Sequence, residues 1–359
     1  MKALVAMSGG VDSSVAAALM LEAGFEVIGV TLKQWVGPDG EMPTAGCCTV
    51  ADAEDARRVA AQLDIPYYVL DYVDEFTRAV VEPFADEYLA GRTPNPCIEC
   101  NRKVRFSALF DRMDALGTDV LVTGHHARVR RDEAGWHLLR AVDGTKDQSY
   151  VLHMLGQVEL SRIRLPIGEM TKAEVRERAA ALGLRTAAKP DSQDICFVKR
   201  DYRSFLDTAV PETARPGPVV ATDGTVLGSH QGTTRFTIGQ RKGLGIAVGE
   251  PRYVVEIRPA SAEVIVGTRD DLLVDGCLVS GVTFVAGHLP VAAQVDVKVR
   301  YRSKPIPATI EADHDSGGVW RVSFDQKTPS PAPGQSAVFY DGEEVLGGGV
   351  IDDVIRSDG

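Results

Sequence analysis

Residues 7–14 read MSGGVDSS, directly after the short apolar run KALVA at 2–6. An apolar run, paired glycines and then a stretch of helical composition at 12–23 read as strand, turn and helix. A glycine turn at the carboxyl end of a first parallel strand lets backbone N–H groups converge, and the helix that follows adds the positive end of its dipole. Such a junction is an anion site. Ser8, Ser13 and Ser14 bring hydroxyl donors suited to phosphate oxygens. Asp12 would be repelled by phosphate unless a cation lay between them, which implies Mg2+ held by Asp12 through the phosphates. The stretch has no lysine and lacks the GxxxxGK spacing, which excludes a standard Walker loop. It also lacks GxGxxG, which argues against a dinucleotide-binding turn.

Outward from this junction, strand-like runs recur at 2–7, 25–32, 65–71 and 119–126. Helical stretches lie between them at 12–23 and 49–63, and a further helix closes at 111–117. This alternation predicts an α/β fold, a Rossmann-like parallel sheet with helices on both faces, over residues 1–200. Beyond about residue 200 the texture changes to short alternating runs punctuated by proline and glycine: GPVV, YVVEIR, AEVIVG, AQVDVKVR, ATIEAD, VWRVSF and AVFYDGE. These predict β-rich, barrel-like or sandwich-like architecture. PETARPGP (211–218) and VDGCLVSG (274–281) read as seams, giving a small central connecting domain over 201–273 and a C-terminal β-domain over 274–359. DHDSGG (313–318) reads as a hairpin loop.

The 359 residues are 44% hydrophobic, enough for a real core, and carry a net charge of −11. That charge excludes a surface coated with basic groups for nonspecific nucleic-acid binding, but not a local patch. RKVR (102–105), RVRR (128–131), RFTIGQRK (235–242) and RYRSK (300–304) are candidate patches, each also readable as a solvated face or edge strand. No apolar run approaches the roughly 18 residues that span a bilayer. With no secretory pattern at the N-terminus either, the expectation is a cytoplasmic protein that meets no membrane. In a reducing compartment the six cysteines, at 47, 48, 97, 100, 196 and 277, read as catalytic, metal-binding or inert rather than as structural disulfides.

SGGVDS resembles the ATP-pyrophosphatase loop, whose families cleave ATP between the α- and β-phosphates and transfer AMP to a carbonyl oxygen. Six further stretches narrow the resemblance: TPNPCIECNRKVRF (93–106), TGHHARV (123–129), KDQSYVL (146–152), DSQDICFV (191–198), FTIGQRKGLG (236–245) and SPAPGQSAVFY (330–340). Along its whole length the chain resembles the bacterial tRNA-specific 2-thiouridylases, tRNA thiolases that put sulfur on C2 of the wobble uridine. The resemblance implies an ATP-dependent sulfurtransferase whose last domain is a tRNA-contacting β-barrel. It implies ATP binding at Ala6, Met7, Ser8, Gly9, Gly10, Val11, Asp12 and Ser13, with Leu32 beside the adenine and Gly124 letting the nucleotide approach closely. It puts Asn95 and Pro96 at the target base, and His125, Lys146, Asp147, Gln148, Arg300, Tyr301 and Gln335 against tRNA. Implied partners are tRNAs of the lysine, glutamate and glutamine type and a cysteine desulfurase or sulfur-relay donor; the implied state is a monomer.

Replacing a carbonyl oxygen by sulfur needs an activated oxygen and a sulfur nucleophile, for which a thiolate or persulfide is suited near neutral pH. The resemblance puts the attacking nucleophile at Cys100 and the persulfide carrier at Cys196. The chain departs from the pattern at Cys97, where many members carry aspartate, and so gains a CxxC with Cys100. Two chemistries are then compatible. Cys97, Cys100 and Cys196 could ligate a 4Fe–4S cluster whose fourth iron binds sulfide, or persulfide chemistry proceeds with Cys97 as a spare or resolving thiol. A zinc site lacks a fourth ligand, and the tandem His125 and His126 have no partner at metal-binding spacing. Cys47 and Cys48 read as incidental loop thiols and Cys277 as packing. The rival functions are an amide ligase using the same loop and a noncatalytic tRNA- or nucleotide-binding module.

Overall fold

The computed structural model describes residues 1–37, 49–191, 195–198, 201–209, 215–288, 292–313 and 317–356. Cys47, Cys48, part of the 211–218 seam and the centre of the 313–318 loop lie outside the described residues.

The first part is a five-stranded sheet in the order β3-β2-β1-β4-β7, and every pairing is parallel. Its strands are β1 (Lys2–Ala6), β2 (Glu26–Lys33), β3 (Tyr67–Asp71), β4 (Val120–Thr123) and the two-residue β7 (Ile163–Arg164). β1 is central, and Ala3, Leu4 and Val5 are all fully buried, as expected of a strand covered on both faces. Side chains alternate: Ala3 and Val5 join Val15, Ala16, Val59 and Val175 on one face, while Leu4 joins Leu109, Met113 and Leu121 on the other. The helices α1 (Val11–Glu22) and α2 (Val50–Gln62) belong to the first face. Thr49 and Asp52 cap α2 reciprocally, side chain to backbone N–H in both directions.

The expected alternation is present, with additions. A helical run (α3) covers 73–89 and another (α4) covers 96–116, each passing through a π-helical segment. The CxxC therefore lies inside a helical run. The expected strand 119–126 ends at Thr123, so Gly124 and both histidines stand just past its carboxyl end. After Gly124 the chain forms a hairpin, β5 (Ala127–Asp132) and β6 (Gly135–Arg140), and β6 pairs with the last strand of the protein. Two more helices, α5 (Gln157–Arg162) and α6 (Lys172–Ala181), complete this part, and α7 (Tyr202–Ala209) follows it.

The middle part is a four-stranded sheet of β8 (Gly217–Ala221), β9 (Val226–His230), β10 (Tyr253–Arg258) and β11 (Glu263–Gly267). Then come β12 (Leu273–Phe284), β13 (Ala292–Lys298), β14 (Ile306–Ala312), β15 (Trp320–Pro329), β16 (Ser336–Asp341) and β17 (Glu344–Ile355). These six form an antiparallel barrel that closes through β12–β17 pairing. Residues 274–281, expected as a linker stretch, lie instead in a 12-residue strand. Its first glycine marks close contact, not a linker. A Cβ on Gly276 would lie 2.1 Å from the carbonyl oxygen of Val322, so only glycine fits there. Cys277 is fully buried in the barrel core, and burial pushes its thiol up to about 12, as a packing residue requires.

His153 is fully buried where the α/β part meets β17; a Cβ on Gly348 would lie 3.0 Å from its Nδ1. Burial, then the charge of Arg102, push its imidazole down to about 3. An unfolded histidine titrates near 6.5, so between these values the unfolded chain binds the extra proton and stability falls as pH falls, by about 1.4 kcal/mol per pH unit. The expected result is a smaller loss of stability between about pH 7 and pH 5 in His153→Gln than in the parent chain, read from denaturant midpoints. Equal losses would contradict this.

Candidate active site

The phosphate loop is built as the sequence predicts, though its serines are used differently. Gly9 adopts φ +71°, and a Cβ there would meet the backbone carbonyl of Asp52 at 2.1 Å, so the turn is pressed onto the start of α2. Gly10 is the N-cap of α1 and brings no side-chain cap, which leaves the first N–H groups of the helix for an anion. Ser13 and Ser14, expected at phosphate, are buried, and both hydroxyls donate to the Gly10 carbonyl, at 3.2 and 2.8 Å. They shape the loop. Ser8 is exposed, and its N–H donates to Ser13 Oγ at 3.1 Å. Ala6, Met7 and Val11 flank the turn at the end of β1 and the start of α1, and Leu32 is buried near the end of β2.

Gly124 has a structural requirement of its own. A Cβ there would lie 2.6 Å from the backbone nitrogen of Ser13, so it is the first turn of α1 that approaches closely. Because the obstacle is backbone, Gly124→Ala is expected to cost about 2 kcal/mol. Gly144→Ala, with nothing within 4 Å, is the control expected to be near neutral. Chemical denaturation of both variants checks the difference.

The lysine absent from the loop arrives from far along the chain. Lys172, the first residue of α6, donates to both Asp12 oxygens at 2.8 and 2.7 Å and to Asp191 Oδ1 at 2.8 Å. Lys189 donates to the Gly9 carbonyl at 2.9 Å and to Asp52 and Asp55 at 2.7 Å each. His126 Nε2–H donates to Asp12 at 3.2 Å. Burial alone would raise the Asp12 carboxyl, but hydrogen bonds from His126 and Lys172 outweigh it and hold the group below its usual range. Loop spacing alone carries no signal for either lysine, since they lie 160 and 180 positions from their partners in it.

Cys100 meets the same edge of the sheet. Gln34, one residue past the end of β2, is buried, and its Nε2 donates to Cys100 Sγ at 3.2 Å. Cys100 is buried in an aromatic cluster with Phe76, Phe84 and Phe197, and half-buried Cys196 packs against that cluster. Cys97 is exposed. Asn95, expected at the target base, is the N-cap of α4, its Oδ1 accepting from the Cys97 N–H at 3.1 Å, and Pro96 is buried in the first turn. Among the described residues no three His, Cys, Asp or Glu side chains are gathered to hold a metal. With Cys97 exposed and Cys100 enclosed, the three thiols do not form the ligand set a 4Fe–4S cluster needs. The hard carboxylate of Asp12, beside the open end of α1, does suit Mg2+.

Several residues assigned to tRNA by resemblance are engaged within the fold. Asp147 accepts from the N–H groups of Ala141 and Ser149, and Gln148 Oε1 accepts from the His126 N–H. His125 is buried: Arg105 donates to its Nε2 at 3.4 Å and its Nδ1 lies 2.8 Å from Thr123 Oγ1. Lys146 pairs with Asp191 at 2.8 Å. Barrel residues reach across to the α/β part. Gln335 Nε2 donates to the Thr93 carbonyl at 2.7 Å, and Tyr301 stacks obliquely on Tyr150 at 5.9 Å. Burial and the nearby Asp147 and Cys97 raise the Tyr301 hydroxyl. Arg300 donates to the Ile238 carbonyl of the middle part at 3.0 Å.

The chain is similar to known proteins along nearly its whole length. Family profiles match residues 1–200 as "tRNA methyl transferase HUP domain", 203–268 as "tRNA methyl transferase PRC-barrel domain" and 274–351 as "Aminomethyltransferase beta-barrel domain". The tRNA-specific 2-thiouridylase MnmA of Chloroflexus aggregans is 50% identical over 351 residues, 97% of each chain. The chain belongs to the tRNA-specific 2-thiouridylase family. The enzyme of that name from Carboxydothermus hydrogenoformans is 48% identical over 98% of this chain and 97% of its own. A solved 4-thiouridine synthetase–RNA complex with bound ATP matches 59% of this chain and 50% of its own, at 19% identity and a TM-score of 0.37. In this chain, composition and spacing do not reveal the cation donors Lys172 and Lys189 or the sulfur-facing Gln34.

Proposed function

We propose that this chain is an ATP-dependent tRNA sulfurtransferase that converts the wobble uridine of tRNAs of the lysine, glutamate and glutamine type to 2-thiouridine. One observation carries the reading: Gln34 joins Cys100 to the carboxyl end of β2, the edge at which the β1 phosphate loop also opens. In parallel α/β sheets that edge is where ligands bind.

The chemistry follows in balanced steps. ATP binds with its phosphates at the N-terminus of α1, with Lys172 and Lys189 at hand as counter-charges and Asp12 as the group that would hold Mg2+. When bound, the metal neutralises charge on the departing pyrophosphate. The uracil C2 oxygen attacks the α-phosphorus, the bond to pyrophosphate breaks, and the oxygen becomes part of an AMP ester. A persulfide on Cys196, loaded by a cysteine desulfurase or relay protein, attacks C2 through its terminal sulfur, and AMP leaves with the former uracil oxygen. The Cys100 thiolate then attacks Sγ of Cys196. The S–S bond to the base breaks, its electron pair stays with the 2-thiouridine sulfur, and a Cys100–Cys196 disulfide forms that a dithiol reductant resets. The shared aromatic cluster encloses Cys100 and packs against Cys196.

The reading is tested by incubating the chain with ATP, Mg2+, a tRNA transcript and a persulfide donor, then measuring nucleosides by mass spectrometry. The expected product is 2-thiouridine at the wobble position, formed only with ATP. Tight nucleotide and tRNA binding with no modified nucleoside would favour a binding module, and methylated uridine would favour a methyltransferase.

A further inference from the structure

We propose that Arg92 is a positioning residue: it fastens the turn that carries Asn95, Pro96 and Cys100 to the last strand of the barrel, so that the barrel sets where base and sulfur meet. This deepens the function proposed above and rests on it. The need for a fastener is written in the stretch GRTPNPC at 91–97. Pro94 and Pro96 have a fixed φ and no N–H, so the stretch can neither prolong the helical run before it nor join a sheet through those positions. Residues 92–95 accordingly lie in neither helix nor strand, between α3 and α4. Their partners come from the far end of the chain.

Thr93 gives both of its backbone groups to the barrel. Its N–H donates to the Pro333 carbonyl at 2.7 Å, and its carbonyl accepts from Gln335 Nε2 at 2.7 Å. Arg92 adds a planar fork. Its Nε donates to Glu87 Oε2 in α3 at 2.6 Å. Its Nη1 donates to the Asp352 carbonyl at 3.3 Å, and its Nη2 to the Ile351 carbonyl at 3.3 Å and to Asp352 Oδ1 at 3.2 Å. One guanidinium therefore joins α3 to β17 across 260 positions of sequence. Gly334, at φ +89°, makes room for it: a Cβ there would lie 3.0 Å from the Thr93 nitrogen and 3.1 Å from Glu87 Oε2. An exposed ion pair contributes little. The Arg92 side chain is only 24% exposed, and two of its acceptors are carbonyls of a strand, so it fixes a position and not merely a charge.

What the tie holds lies just beyond it. Asn95 caps α4 through the Cys97 N–H, and Cys100 follows in the same helical run, where Asn101 Nδ2 donates to the Val151 carbonyl at 2.9 Å. The start of α4 is thus set by the barrel and its continuation by the α/β part. A misplacement of about 1 Å at reacting groups costs on the order of a hundredfold in rate. Arg92 makes none of its hydrogen bonds to the phosphate loop, so nucleotide binding does not depend on it.

The test measures 2-thiouridine formation in a single turnover at saturating tRNA, with ATP, Mg2+ and a persulfide donor, beside filter-binding affinities for tRNA and ATP and a denaturant midpoint for each variant. Arg92→Met should lower the saturating rate at least about tenfold, with both affinities within about threefold of the parent's. Arg92→Lys, which keeps the charge without the fork, should fall between the two. Asp352→Ala, at the half-exposed end of the tie, should lower the rate less, and added to Arg92→Met it should slow the chain no further, because both changes break one connection. A folded Arg92→Met or Asp352→Ala chain that thiolates at the parent's rate overturns the proposal. So does a loss confined to tRNA affinity, which would make Arg92 a tRNA contact, and so does a double variant slowed by the full product of the two single effects. A parent chain that forms no 2-thiouridine overturns the functional reading and the proposal with it.

Discussion

Cys100→Ser and Cys196→Ser each lower 2-thiouridine formation by at least about a thousandfold, while ATP binding changes by less than about twofold. The size follows from the chemistry. A serine hydroxyl at 196 cannot carry a transferable sulfur, and at 100 it cannot cleave the mixed disulfide, so each change removes a bond-forming atom. The indifference of ATP binding follows from position. Cys100 belongs to the aromatic cluster with Phe84 and Phe197, whereas the phosphate loop packs on α2 and α6 through Gly9, Lys172 and Lys189. The two variants differ in what accumulates. Cys196→Ser stops before sulfur reaches the base. Cys100→Ser allows one attack and leaves tRNA joined to Cys196 through a disulfide, visible as a protein–RNA adduct that thiols release. Cys277→Ser, in the barrel core, is expected to leave sulfur transfer unaffected. Quantitative nucleoside analysis beside a filter-binding assay for ATP checks all of these, and substantial thiolation by either serine variant would remove the persulfide mechanism.

Lys172→Met weakens ATP binding by about a hundredfold. Lys172 supplies charge at the mouth of α1, and one or two charge-assisted hydrogen bonds of about 1.5–3 kcal/mol are lost. The variant also strips Asp12 of its main cation, leaving a partly buried carboxylate beside the incoming phosphates. The second effect makes the loss non-additive. With nucleotide binding measured in the absence of Mg2+, Asp12→Asn in the Lys172→Met background should recover part of the affinity, because it removes the uncompensated charge. Affinities of the two single variants and the double variant, measured by calorimetry, decide the point. A change below about threefold in Lys172→Met would show that phosphate is bound elsewhere.

Legibility in the sequence tracked locality. The parallel sheet could be read because its β-branched runs and intervening helices are contiguous, and the loop at 7–14 could be read because its chemistry lies within eight residues. β12 and β17 could not, because Gly276 and Gly347–Gly349 serve close backbone approach across the barrel, and in one dimension that looks like a linker. The hairpin β5–β6 was hidden because its partner is β17, some 200 residues later. The same limit applies to the site. Serines in the loop looked like phosphate donors, but two of them close the turn on Gly10. The cations that accompany Asp12 and Gly9 come from α6 and the segment after it, and no local pattern announces them. Asp147 and Gln148 looked available for base reading, yet they fold their own loop and hold His126.

The most direct test of the account uses tRNA whose wobble uracil carries oxygen-18 at C2, in a single turnover with ATP, Mg2+ and a persulfide donor, followed by mass spectrometry of the released nucleotide. The account predicts the heavy oxygen in the phosphate of AMP, one atom per 2-thiouridine formed. Heavy oxygen released in water or inorganic phosphate, with unlabelled AMP, would contradict it.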